Sequence, residues 1–388
     1  MSQAASPEKS PSGLTVDEVA GFRRRILKWY SVHQRDLPWR RNDDPYSVWI
    51  SEMLLQQTRV DQARPYYDRF MARFPTVQAL AEASIDEVLK SWEGLGYYAR
   101  ARNAHRAAIR IVSEYGGRIP SDPIEIGGLP GIGPYTAAAI LSIAYNKDHA
   151  AVDGNVIRVL SRLFRIEDLV SRTPVKRRLQ WLADTLLVPG RAADFNQAMM
   201  ELGATVCLPR NPVCEFCPVM RYCKAQALLS DPSILPKKAP RKERPHRDVL
   251  AGLVVNDDRI LIVQRPMDGL LGGLWEFPGG NREGEESLVD GVVRSVLGTT
   301  GLAISIVQDL PQVSHAFTHF RITLHGFICH LTSDSLDAQT SDNYRWVPFD
   351  QLTKFAFSRA HSRLIDFLRS DKHTGLRDRF VSVSPQTP

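Results

Sequence analysis

The stretch Leu129-Pro130-Gly131-Ile132-Gly133-Pro134-Tyr135-Thr136 joins two helices through a Gly-x-Gly turn. Two glycines let the backbone approach a ligand closely, and the amides opening the next helix then point outward, towards an anion. A plain helix-to-helix turn would use the same residues. On either side, apolar residues recur at spacings of three and four, in FRRRILKWY and VWISEMLLQQT before the turn and in AAAILSIAY and NVIRVLSRLF after it. Strand-like alternation is nearly absent from this region, so residues 14–229 are expected to form an all-α domain.

Further along, the pattern changes. Residues 230–247 carry Pro232, Pro236, Pro240 and Pro245 among Lys237, Lys238, Arg241, Lys242, Arg244 and Arg247, the composition of a basic, semi-rigid linker. Then DVLAGLVV, RILIVQRP, AISIV and FRITLHGFICHL read as strands, with a helix expected between Glu285 and Leu297. Residues 248–370 are thus expected to be an α/β domain. Residues 1–13, rich in Ser, Pro and Ala and without arginine, are expected to be a disordered lead-in, and residues 371–388 a polar tail. With 43% hydrophobic and 24% charged residues, a 388-residue chain should hold two or three globular domains. No apolar run approaches the roughly 20 residues of a membrane span. The net charge of +6 is compatible with a polyanionic partner.

Four of the five cysteines, Cys207, Cys214, Cys217 and Cys223, form the run C-x6-C-x2-C-x5-C. Four thiolates can hold a zinc ion or an iron-sulfur cubane. Structural zinc usually pairs two short knuckles, whereas here only Cys214 and Cys217 make one, so the spacing favours a 4Fe-4S cluster over zinc. Pro209, Pro212 and Pro218 argue against a run of inert core thiols. With no signal peptide expected, disulfides are disfavoured and a cytoplasmic location, nucleoid-associated in a bacterium, is expected. Cys329, among Ile, Phe and Leu, reads as a buried strand residue.

Twenty residues past Gly133, Val152-Asp153-Gly154-Asn155-Val156 places an aspartate at the start of a helix, where Asp is also a favoured N-cap. The Gly-x-Gly hairpin, this aspartate and the downstream cysteines together resemble the helix-hairpin-helix DNA glycosylase superfamily with an iron-sulfur cluster. The segments LLQQT and Gly94-Leu95-Gly96-Tyr97-Tyr98-Ala99-Arg100 resemble MutY-type adenine DNA glycosylases, from about Leu37 through Cys223. That resemblance implies base excision repair by a monomeric, monofunctional glycosylase, acting on adenine mispaired with 8-oxoguanine or guanine in double-stranded DNA. The hairpin glycines Gly131 and Gly133 would grip a DNA phosphate without reading sequence. Bifunctional relatives carry a lysine where Tyr135 stands, and a phenol cannot form a Schiff base, so no lyase step passes through this residue.

The resemblance also assigns roles. Glu52, whose helix neighbours are mostly large and apolar, would protonate N7 of adenine and then activate water. Asp153 would stabilise or capture the oxocarbenium-like sugar, while Tyr135 and Asn155 hold water and carboxylates in place. Arg35, Trp39 and Gln197 would line the adenine pocket; Gln57, Thr58, Leu95 and Tyr97 would wedge the stack and contact the opposite base.

In the second domain, Leu274-Trp275-Glu276-Phe277-Pro278-Gly279-Gly280 and the following helix resemble a nudix domain. Glu286, Arg294, Gly301 and Leu302 fit the nudix box, but Ser295, Gly298 and Thr299 stand where metal-binding carboxylates belong. Magnesium needs such oxygens, so the fold is expected without the hydrolysis. His315-Ala316-Phe317-Thr318-His319 resembles the family's 8-oxoguanine-reading loop, with Thr318 replacing a serine, and Phe317, Thr318 and His319 would contact the lesion. Two rival readings are a nudix-type nucleotide pyrophosphohydrolase fused to a DNA-binding module, and a lesion-binding protein without catalysis. The missing carboxylates argue against the first; intact Glu52 and Asp153 argue against the second.

If the cysteine run holds the cubane, purified protein should be yellow-brown, absorb near roughly 400 nm and contain about four irons per chain. Stoichiometric zinc without iron after anaerobic purification would overturn that reading.

Overall fold

A computed structural model describes residues 13–240, 243–332 and 344–370. Most of the lead-in, the tail and two linker residues fall outside these. By internal contacts the chain divides into two compact units: Met1–Ala81 with Arg106–Arg241, and Glu82–His105 with Lys242–Pro388. Among the described residues no helix is long and apolar enough to cross a membrane.

The first unit is helical, and several of its helices start at side-chain caps. Thr15 and Glu18 close a capping box on helix Val16–His33. Asp44 accepts from the Ser47 amide at 2.8 Å, with Pro45 following, to open helix Pro45–Leu55. Residues 46–54 of that helix are all buried, so a charged residue on it has no polar face to occupy.

At the hairpin, Asp122 caps the short helix Pro123–Gly127 and Gly131 takes the left-handed conformation at φ 77° that its turn needs. Helix Pro134–Ile143 follows with Gly133 at its N-cap and no side-chain cap. Asp153 then caps helix Gly154–Leu163, which packs through Val156, Val159, Leu160 and Leu163 against Phe195, Met199 and Leu202 of helix Ala192–Thr205.

The second unit is built on an eight-stranded mixed sheet: β1 His246–Asn256, β2 Arg259–Gln264, β3 Trp275–Glu276, β4 Gly279–Asn281, β5 Ile304–Asp309, β6 Val313–Ala316, β7 Arg321–Leu331 and β8 Tyr344–Pro348. The central order is β3-β2-β1-β7-β5, with β1 and β7 parallel and the other pairs antiparallel. Side chains alternate across it as the pleat dictates. Ala251, Leu253 and Val255 of β1 join Leu324 and Ile328 of β7 against Leu364 and Leu368 of helix Arg359–Arg369. Leu250 and Val254 join Phe327 and Cys329 against Val292 and Val296 of helix Leu288–Thr300. Cys329 is buried in its strand, as its apolar neighbours require.

Segment Glu82–His105 is held within this unit by polar contacts. Asp86 Oδ1 accepts from Trp275 Nε1 at 3.2 Å and Gln264 Nε2 at 2.9 Å. Glu93 accepts from the Phe357 amide at 3.0 Å, and Arg102 donates to the Gly272 carbonyl at 2.7 Å.

Back in the first unit, Gly203 lets two helices touch: a Cβ there would lie 2.6 Å from Asn155 Cβ and 3.2 Å from its backbone. Backbone cannot swing aside as a flexible side chain can. Gly203→Ala is therefore expected to lose about 1–3 kcal/mol of stability in urea denaturation, with a slower reaction at any site that depends on Asn155. Parental stability would contradict the tight packing.

Candidate active site

A cleft of about 1060 Å³ opens in the first unit, and its walls include Arg35, Trp39, Glu52, Gln57, Thr58, Tyr135, Asp153, Asn155 and Gln197. Residues separated by up to 162 positions in the sequence thus meet at one site.

Glu52 projects from the all-buried helix Pro45–Leu55 and is 6% exposed. The Tyr135 hydroxyl, from the first turn of helix Pro134–Ile143, donates to its carboxylate. Burial pushes the carboxyl up from its usual 4.5 to about 7; the Tyr135 bond and Arg40 oppose that rise, and nearby Asp153 adds to it. Burial raises the Tyr135 phenol as well, so Tyr135 remains a donor.

Asp153 is both helix cap and cleft residue. Its Oδ1 accepts from the Val156 amide at 2.7 Å and its Oδ2 from Asn155 Nδ2 at 2.8 Å. Burial raises this carboxyl, while the Val156 and Asn155 donors and the Arg158 charge pull it back. The approach to it is braced by Asn196, which accepts from the Ala151 amide at 3.0 Å and donates to the His149 carbonyl at 2.7 Å. The site therefore pairs a carboxyl poised near neutrality with one held by hydrogen bonds at a helix N-terminus.

Trp39 is 6% exposed and packs edge-on against Tyr67 at 5.3 Å. Gln57 is exposed and holds a left-handed φ of 58°, uncommon for a residue with a side chain. Among the wall residues that escaped sequence reasoning are Arg40, Gln56, Arg158 and Glu201. Arg40 was legible as the end of RDLPWR, and Glu201 as a lone acid within the apolar run AMMELGA.

The other expected site residues lie elsewhere. Gly131 and Gly133 are exposed at the hairpin. Leu95, Tyr97, Phe317, Thr318 and His319 belong to the second unit. There Leu95 is only 6% exposed, whereas Tyr97 is 42% exposed at φ 52° beneath the Arg100 guanidinium. The hydroxyls of Tyr97 and Thr318 are 2.7 Å apart. Phe317 stacks on Phe320 at 4.6 Å and its amide donates to the Phe320 carbonyl at 2.9 Å, closing the turn that presents Thr318 and His319.

Cys207, Cys214, Cys217 and Cys223 are half-buried free thiols, and each of the last three feels the charge of Cys207. Burial pushes Cys217 up to about 12, so a thiolate set here requires positive charge to form. The buried Arg162 supplies some, donating to Cys207 Sγ at 3.3 Å and to the Leu208 carbonyl at 2.6 Å. Among the described residues no group of three His, Cys, Asp or Glu side chains is arranged for a single metal ion.

Because the Glu52 carboxyl binds its proton more tightly folded than unfolded, its stabilising contribution is complete below about pH 4.5 and lost as pH rises through 7. Glu52→Gln should consequently exceed the parent in stability above pH 8 by about 1–3 kcal/mol, and by little at pH 5. Urea denaturation at both pH values checks this; an equal difference at both would place Glu52 in a solvated setting.

Comparison with known proteins gives two family matches along the chain. Residues 50–184 match the HhH-GPD superfamily of base excision DNA repair proteins, and residues 250–367 match the NUDIX domain. The chain is 36% identical over 403 residues to an adenine DNA glycosylase of Rattus norvegicus, covering 90% of this chain and 78% of the relative. It is 36% identical over 405 residues to an adenine DNA glycosylase of Homo sapiens, covering 90% and 74% respectively. Among solved structures, a thermostable thymine-DNA glycosylase aligns with a TM-score of 0.50 at 31% identity, over 54% of this chain and 97% of that one. A helical HhH-GPD domain followed by a nudix-like domain, a carboxyl pair sharing one cleft and relatives matched across most of their length lead to one assignment: the chain belongs to the adenine DNA glycosylase family, DNA repair enzymes that hydrolyse N-glycosidic bonds.

Proposed function

We propose that the chain hydrolyses the N-glycosidic bond of adenine facing 8-oxoguanine or guanine in duplex DNA, with Glu52 and Asp153 as its catalytic residues. The observation that carries this reading is Glu52, buried, bonded by the Tyr135 hydroxyl and sharing a cleft with Asp153, with burial pushing its carboxyl up to about 7. A general acid works best when its pKa lies near the working pH.

The adenine is flipped out of the stack to enter the cleft, where Arg35, Trp39 and Gln197 line its path. Glu52 delivers its proton to N7 as the C1′–N9 bond breaks, and the bond's electrons leave with neutral adenine. Asp153 stabilises the cationic sugar. Glu52, now a carboxylate, takes a proton from water as its oxygen bonds to C1′, which restores the acid. Tyr135 and Asn155 hold the two carboxylates, Gln57, Thr58 and Tyr97 meet the opened stack, and Gly131 and Gly133 grip a phosphate.

Four free thiols near one another beside Arg158 and Arg162 suit a 4Fe-4S cluster, which Cys207, Cys214, Cys217 and Cys223 would hold. When bound, such a cluster ties the loop together and supplies a one-electron redox centre. In the second unit, the Phe317-Thr318-His319 turn would read the base opposite adenine.

Single-turnover cleavage of a duplex with one adenine opposite 8-oxoguanine tests the reading. Adenine should be released, with strand breaks appearing chiefly after alkali, since Tyr135 is not an amine. Glu52→Gln and Asp153→Asn should each slow release by about 10²- to 10⁴-fold while still binding the mispair. Near-parental rates in either variant would remove that residue from the chemistry.

The 2.7 Å contact between Thr318 and Tyr97 adds a second expectation. Thr318→Ala should reduce the preference for 8-oxoguanine over guanine by about 3- to 10-fold, the scale of one hydrogen bond, with Thr318→Ser nearly silent. Unchanged discrimination in Thr318→Ala would move lesion reading away from this turn.

A further inference from the structure

On the wall of the cleft, Glu201 is fully buried, with none of its side chain exposed, and two arginines converge on it. Arg35 forks it, Nε to Oε1 at 2.7 Å and Nη2 to Oε2 at 3.0 Å, and also donates its backbone amide to Oε1 at 3.2 Å. Arg40 Nη2 reaches Oε2 at 2.8 Å, while its Nη1 donates to the Arg35 carbonyl at 3.3 Å. Arg40 also lies over the Tyr30 ring at 5.7 Å. One carboxylate therefore faces two guanidiniums, leaving a net positive charge at a wall that also carries Glu52.

We propose that Glu201 is a positioning residue: it fixes Arg35 and Arg40 as one clamped group and limits the cationic charge that reaches Glu52 across the cleft. The proposal rests on Glu52 being the acid of the reaction. Fixed charge of this kind needs an anchor, since a free arginine side chain samples many rotamers and would blur both its placement and its field. A buried carboxylate with bidentate and third-party donors supplies that anchor. The groups that act on Glu52 are few: the Tyr135 hydroxyl, the Asp153 carboxylate and the Arg40 guanidinium. Asp61, also on the cleft wall, acts on Arg35, and Arg158 acts on Asp153. Removing the Glu201 charge leaves both arginines uncompensated, which favours ionised Glu52. Removing Arg40 does the reverse.

The test is the pH dependence of single-turnover adenine release from the 8-oxoguanine duplex, using full-length protein. The alkaline limb, where Glu52 loses its proton, should move to lower pH in Glu201→Gln and to higher pH in Arg40→Gln, each by about half to one unit. Glu201→Asp, which keeps the charge, should restore the limb even if the rate is lower. The double variant Arg40→Gln/Glu201→Gln should return the limb close to the parent's. A purely structural role would slow the reaction or destabilise the fold without opposite shifts. Limbs that stay in place in both single variants, or move the same way, overturn the proposal, and should Glu201→Gln not fold, a limb that fails to rise in Arg40→Gln overturns it alone. Parent protein that releases no adenine would instead overturn the reading of the reaction itself.

Discussion

One carboxyl group, taken out of water, sets the terms for the first unit. Glu52 sits on a helix buried over residues 46–54, so no rotation of that helix could return it to solvent. Ionising it there costs folding energy, and the chain meets that cost by keeping the proton to about pH 7 rather than by pairing the charge away. A direct salt bridge would have stabilised the carboxylate and removed the acid. The neighbours are graded accordingly: a phenol donates to Glu52, an aspartate raises its pKa, and Arg40, whose charge lowers it, is engaged by another carboxylate.

Asp153 is also raised by burial, but more donors are arranged against that rise. A helix N-terminus, the Val156 amide and the Asn155 side chain converge on it and counter the rise that burial alone would cause. Capping and anion stabilisation are here the same geometry, so the modest reading of this residue as an N-cap and the catalytic reading are not alternatives. Its precision depends on neighbours that never reach the cleft centre: Asn196 braces the residues leading to it, and Gly203 gives Asn155 room that an alanine would occupy.

Legibility in the sequence followed the range of the interactions. The helical periodicity, the β-branched runs of β1 and β7, the Asp153 cap and the helix after Glu285 all arise from neighbours a few residues apart, and local pattern sufficed for them. The Glu201 clamp did not announce itself, because Arg35 and Arg40 join it across 166 and 161 positions and no spacing rule links them. Segment Glu82–His105 poses the same difficulty. Its helical pattern is continuous with the first unit's, yet Asp86 and Glu93 find their partners 178 to 264 residues later. The wall of the cleft was legible in part for the same reason: residues within recognisable motifs were found, and residues that matter through long-range charge were not.

The second unit shows two residues of the nudix box joined in a structural role. Of the charged positions of the nudix box, Glu286 and Arg294 remain, and they are joined: Arg294 donates to both Glu286 oxygens, to Glu283 at 3.0 Å and to the Asn281 carbonyl at 3.1 Å. This clamp, which draws Glu286 down to about 2, fastens the loop after β4 to the following helix. Where the box would carry further carboxylates, Ser295 is buried opposite Gly280, whose Cβ would stand 3.3 Å from that of Ser295, and Thr299 turns its hydroxyl onto the Ser295 carbonyl at 2.7 Å. What the loop region retains is a rigid scaffold, and on that scaffold the exposed turn at Thr318 meets Tyr97. Ion pairs and packing thus suffice to place a hydroxyl at a defined point, since the oxygens of Thr318 and Tyr97 stand 2.7 Å apart.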